Sequence, residues 1–163
     1  MARPVPPEDS LIAILDETEL LVATALAVCD GLLPQADLAS VVHQSVEEVA
    51  VALSVLRDLD LVNERSDGSV VIGHALLGAR LQAACPPEDK QRIHSAVAEV
   101  FDRNGADAAF VLDHLEASGD RSSALRGIQL CLARCRACLM VGEAVDAATF
   151  LDRADRFILI ALP

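Results

Sequence analysis

The stretch SVEEVAVALSVLRDLDLVNERSDGSVVI, Ser45 to Ile72, decides the fold class. It opens with Ser45 and Glu48 at the S-x-x-E spacing, in which each residue satisfies a free backbone amide of the other in the first turn of a helix. Val49, Ala52, Leu53 and Leu56 then recur at i, i+3, i+4 and i+7, the repeat of one apolar helix face. After Leu59 the period changes. Leu61 to Arg65 and Ser69 to Ile72 read as two strands, and Ser66-Asp67-Gly68 between them supplies the hairpin turn.

Working outward, the pattern upstream predicts a helix from about Thr18 to Cys29, with Leu21 and Leu26 inward, ended by Asp30-Gly31. A shorter helix follows Pro34 and uses Leu38, Val41 and Val42. Three helices and a β-hairpin is the order of a winged helix, assigned to residues 10–73; the Pro-rich residues 1–9 read as an extended segment. From His74 to the end, residues 74–163, the chain reads as helices alone, separated by Pro86-Pro87, Asn104-Gly105, Gly119-Asp120 and Gly142. In the longest of these the stripe Leu125, Ile128, Leu132, Cys135, Leu139 is expected to face inward. The whole is expected to be mainly α: a winged-helix domain followed by an antiparallel, tetratricopeptide-like helical array.

Composition narrows the chemistry. Hydrophobic residues make up 53% of the chain and aromatics only 2%, so the core must be aliphatic, which suits packed helices. A formal net charge of -12 opposes nucleic acid, whose binding rests on cations that displace phosphate counterions. Without Trp or Tyr, little could stack on bases. Five cysteines, an odd number, and no signal-peptide pattern point to a reducing, cytoplasmic setting. No apolar run reaches the roughly 18 residues of a membrane span; Phe157 to Leu162 is too short and reads as a buried helix end or an edge that wants a partner.

The stretch Val71-Ile72-Gly73-His74-Ala75-Leu76-Leu77 resembles the strand-to-helix H-x-L-[LV] motif of signal-transducing (STAND) ATPase transcription regulators, the large LuxR/MalT-like family. Cys85 to Glu99 stands where that family has a Pro-Pro break and an R-x-x-L-H-like helix. Asp113-His114-Leu115 with Gly119-Asp120 is similar to its next helix end, and Cys138 to Ala154 to a tetratricopeptide-like unit. The likeness runs over roughly residues 10 to 155. It implies that the winged helix packs on an ATPase core, that the helical region binds protein partners, and that His74 reaches the phosphates of bound ADP in the inactive state. Gly78 stands where family members often carry Arg. The sequence has no G-x-x-x-x-G-K-[ST], and its only lysine is Lys90, so the chain is expected to need a partner core to meet ADP or ATP and not to be an enzyme by itself.

The other candidates read more plainly. His94 and His114 fall on helices as interface or core histidines, and His43 closes a helix whose C-terminal dipole favours a cation. No two histidines share i, i+4 spacing, so no zinc pair is expected. Cys131, Cys135 and Cys138 match a radical-SAM iron–sulfur spacing, but they lie mid-helix among Leu and Ala, where free cysteine acts as a small apolar residue. No nucleophile elbow is present. The rival to a regulatory, protein-binding module is a small winged-helix DNA-binding repressor with a helical dimerisation tail. Against it, the third helix opens on Glu47 and Glu48, and the wing offers Glu64, Arg65 and Asp67, so carboxylates would face phosphates. Protein partners are therefore expected, with self-association through the helical region open and direct DNA binding disfavoured.

Overall fold

In the computed structural model, residues 12–30, 33–66 and 68–162 are described. The expected extended segment 1–9 lies outside them, as do Gly31 and Asp67 of two expected turns. Among the described residues the chain is mainly helical, with eight helices and one two-stranded antiparallel sheet. It divides into two compact units, Met1–Ile93 and His94–Pro163.

The first unit is built around α1 (Glu17–Val28). Asp16 caps it, accepting from the Glu19 amide at 2.8 Å while Glu19 accepts from the Asp16 amide at 2.9 Å. Leu21 to Leu26 and Val28 are all buried, so beyond its acidic first turn this helix is enclosed on every side. Its neighbours are α2 (Gln35–Val42), α3 (Val46–Asp58), α4 (Ala75–Ala84) and the second strand. The Ser45–Glu48 capping box forms as its spacing requires, with Ser45 N–H donating to Glu48 Oε2 at 2.8 Å and Glu48 N–H donating to Ser45 Oγ at 3.1 Å. Val49, Ala52, Leu53 and Leu56 are the buried face of α3.

Strands β1 (Val62–Glu64) and β2 (Val70–Ile72) pair antiparallel, Val62 opposite Ile72 and Glu64 opposite Val70. Arg65 N–H donates to Ser69 C=O at 2.8 Å and Gly68 N–H to Arg65 C=O at 2.9 Å, which closes the turn. Helix α4 then lies against α1, and Gln82 Nε2 donates to Ala27 C=O at 3.0 Å. The sequence pattern places a boundary at Gly73; in the folded chain α4 belongs with the first unit, and α5 (Pro87–Arg103) contains the point of division.

The second unit comprises the end of α5, then α6 (Ala108–Ser118), α7 (Arg121–Val141) and α8 (Ala144–Ala161). Helices α7 and α8 form a tight antiparallel hairpin. Gly142, at φ 85°, makes the reversal in a left-handed conformation that a side chain would strain. Gly127 and Phe157, equally far in sequence from Gly142, meet across the pair. A Cβ on Gly127 would lie 2.6 Å from the Phe157 ring, so the ring occupies the place of the missing methyl.

That contact corrects the expected inward stripe of α7. The buried residues are Ser123, Ala124, Gly127, Cys131 and Cys135, whereas Leu125, Leu132 and Leu139 are exposed. At Gly127 the close approach of α8 leaves no room for leucine.

One side of the hairpin is covered within the unit. Ser123 Oγ donates to Ser95 Oγ at 3.0 Å and Arg126 pairs with Asp102 at 2.7 Å, tying α7 to α5. Arg153 of α8 pairs with Asp113 and, at 3.3 Å, with Glu116; Arg156 pairs with Glu116 at 3.1 Å, tying α8 to α6.

Candidate functional site

A strand that ends and a helix that begins within two residues leave His74 at the mouth of a cleft. Ile72 closes β2, and His74 is the N-cap of α4 at φ -139°, ψ 132°. Its side chain is exposed and makes no capping hydrogen bond, so the first amides of α4 receive nothing from it. The cleft is about 410 Å³ in volume, with walls from Leu26, Val71, Ile72 and Ala79 and a rim that holds Arg65, His74, Asp30 and Gln82. One permanent cation, one imidazole and the open start of a helix are suited to an oxyanion, and Asp30 opposes them.

Gly78 is buried beneath this cleft. A Cβ there would sit 3.6 Å from the Ala27 methyl, ordinary contact, so the position admits a methyl. Where the family resemblance calls for Arg, this chain instead brings α4 against α1. Arg65 was not singled out from sequence as a partner of His74. Only the strand pairing, which continues to Arg65 opposite Ser69, brings the two to one cleft.

A second concavity, about 310 Å³, lies between the first turns of α1 and α3, lined by Asp16, Glu19, Glu47, Glu48, Val51 and their neighbours. Three of its four acids, Asp16, Glu19 and Glu48, are the capping groups described above. Hydrogen bonds from the Ser45 amide and hydroxyl hold the Glu48 carboxyl below its usual range. Helix α3 thus begins on negative charge. Its one cation near the hairpin, Arg57, pairs with Glu64 of β1 at 3.4 Å.

His94 and His114, placed on different helices by the sequence, face each other in the second unit, Nδ1 to Nδ1 at 2.9 Å. One must donate and the other accept, so the two rings hold opposite tautomers and cannot both be protonated without breaking the contact. Phe110 meets His114 edge-on at 4.7 Å between ring centroids, and Phe101 meets Phe110 at 4.6 Å. Burial pushes the His114 imidazole below its ordinary value, and the nearby Asp113 carboxylate opposes this only in part. His114 is a core residue here. Among the described residues, no group of three His, Cys, Asp or Glu is arranged to hold a metal ion.

All five cysteines are free. Cys131 and Cys135 are buried along the α7–α8 seam. Burial pushes the thiols of Cys85 and Cys131 up. Cys138 is also raised, by desolvation and by the carboxylates of Glu143 and Asp146. The thiols of Cys85, Cys131 and Cys138 stay protonated near neutral pH, which makes them poor nucleophiles. His43 ends α2 in a left-handed conformation, exposed. Among the described residues no single helix is long and apolar enough to cross a membrane. No protein-family model, curated protein or solved structure matches the chain.

Proposed function

We propose that this chain is a non-enzymatic regulatory module. Its first unit acts as a winged helix that packs on a nucleotide-binding ATPase core, and its helical second unit offers surfaces to protein partners, as in signal-transducing ATPase transcription regulators. The observation that carries the reading is the rim of the α4 cleft. An exposed His74 that makes no capping hydrogen bond opens a helix and lines the same cleft as Arg65. Such a rim contributes contacts to a phosphate that another polypeptide already holds. An imidazole there can donate to a phosphate oxygen. The module is then a two-state element, docked on the nucleotide-bound core or released, and nucleotide biases the two through differential contacts.

A DNA-binding repressor draws less support. The start of α3 is acidic and Arg57 is already engaged with Glu64, so the surface a winged helix presents to a groove repels phosphate.

A photo-crosslinker installed at position 74 of the full chain, activated in the source cells, tests the proposal. The expected product is a covalent adduct to a polypeptide carrying a P-loop, with a yield that changes when cellular ADP and ATP are depleted. Adducts to nucleic acid, or to proteins lacking a nucleotide site, would sink it.

A further inference from the structure

The hairpin of α7 and α8 has a second side. Helices α5 and α6 cover one side through Ser123, Arg126, Arg153 and Arg156. At 100° per residue, the residues half a turn away from these are Leu125, Leu132 and Leu139 on α7 and Leu151, Ile158 and Leu162 on or just beyond α8. All six are between 39% and 61% exposed, although they are large and aliphatic. On α7 they repeat every seven residues, the spacing that keeps a seam facing one partner helix.

We propose that this face is a homodimer interface, in which the hairpins of two copies pack face to face as a four-helix bundle. Area is the first argument. Six aliphatic side chains about half exposed present on the order of 500 Å² of apolar surface, at the upper end of what a monomer leaves uncovered. Buried on both copies, this comes to about 1,000 Å², the lower bound for a biological interface, to which the flanking charged side chains add.

Charge is the second argument, and it selects the geometry. Helix α7 carries four arginines and no acid, while the charges of α8 on the free side are Asp152 and Asp155, because Arg153 and Arg156 turn to α6. A two-fold axis perpendicular to the helices would lay α7 on α7 and set arginine against arginine. An axis parallel to them lays each α7 antiparallel on the partner's α8. The Gly127–Phe157 contact fixes the levels along the hairpin. Leu132 then comes within one residue of the level of Leu151, Leu125 within one residue of Ile158, and Arg136 within one turn of Asp152. Apolar stripe meets apolar stripe, and the basic rim of one copy meets the acidic rim of the other.

Sedimentation equilibrium of the full chain tests this. The wild type is expected to be a dimer at micromolar concentration. Leu132→Glu, which alters an exposed position and leaves the core intact, should raise the dimer Kd on the order of a hundredfold with an unchanged helical circular-dichroism spectrum. Leu139→Glu serves as the second variant if the first loses helicity. Arg136→Asp and Asp152→Arg should each weaken dimerisation about three- to tenfold, and the double variant should restore it. A monomeric wild type, a dimer insensitive to both leucine variants, or a double variant weaker than either single one would overturn the proposal. None of these outcomes bears on His74 or on docking to an ATPase core.

Discussion

At the scale of single residues, two positions hold the second unit in its form. At Gly127 the α7–α8 seam is closely packed, since a methyl group there would overlap the Phe157 ring, a side chain with no exposure at all. Gly127→Ala should therefore destabilise the protein by about 1–3 kcal/mol, read as a lower urea midpoint at unchanged slope; a neutral effect would mean that the hairpin is looser than described. His114 makes the stability of this unit depend on pH. Its folded-state value is lowered from 6.5, so below 6.5 the unfolded chain binds the proton more readily than the folded one. The contribution of neutral His114 is fully present above that value and is lost as pH falls through it toward the lower folded-state value. The urea midpoint should drop between about pH 7 and pH 5 in the wild type, and His114→Phe should flatten that slope. A variant with the same slope would assign it to other groups.

At the scale of elements, some of the chain was legible and some was not, for reasons that differ by element. Helix α3 could be read because its start and its face are both local: the Ser45–Glu48 box and the Val49 to Leu56 stripe need no knowledge of the neighbour. Ser45→Ala should cost about 1 kcal/mol, measured by chemical denaturation, because the Glu48 amide loses its acceptor. The same device at Asp16 and Glu19 went unremarked in the sequence, although its D-x-x-E spacing carries the same signal.

Helix α7 misled because it bears two stripes, one of leucine and one of small residues, and hydrophobicity alone ranks the leucines first. Which stripe turns inward depends on the partner, and Phe157 demands the small one. The candidate site divides in the same way. His74 was visible as the residue at a strand-to-helix junction, whereas Arg65 joined it only through the hairpin pairing. Core packing accounts for His114; its bond to His94 required the relative placement of α5 and α6, which no local pattern encodes.

At the scale of the whole molecule, charge separates the two functional readings. The sequence carries 13 basic residues against 25 acidic ones, and several of the cations are already paired: Arg57 with Glu64, Arg126 with Asp102, Arg153 and Arg156 with acids of α6. Association with duplex DNA gains its strength from released counterions. A protein that makes several phosphate contacts therefore tightens by about three orders of magnitude or more when salt is lowered from 200 to 50 mM. A formal net charge of -12 works against such a gain. Fluorescence anisotropy of a labelled duplex should stay flat at about 50 mM salt, up to protein concentrations near 10⁻⁴ M where non-specific binders already saturate. The result should be the same for Glu47→Ala, because removing one of several carboxylates at the head of α3 leaves Glu48 and the Asp16–Glu19 cap in place. A steep rise in anisotropy that collapses with added salt would instead mean that folding gathers arginines into a patch, and the acidic start of α3 would then have to lie away from the DNA.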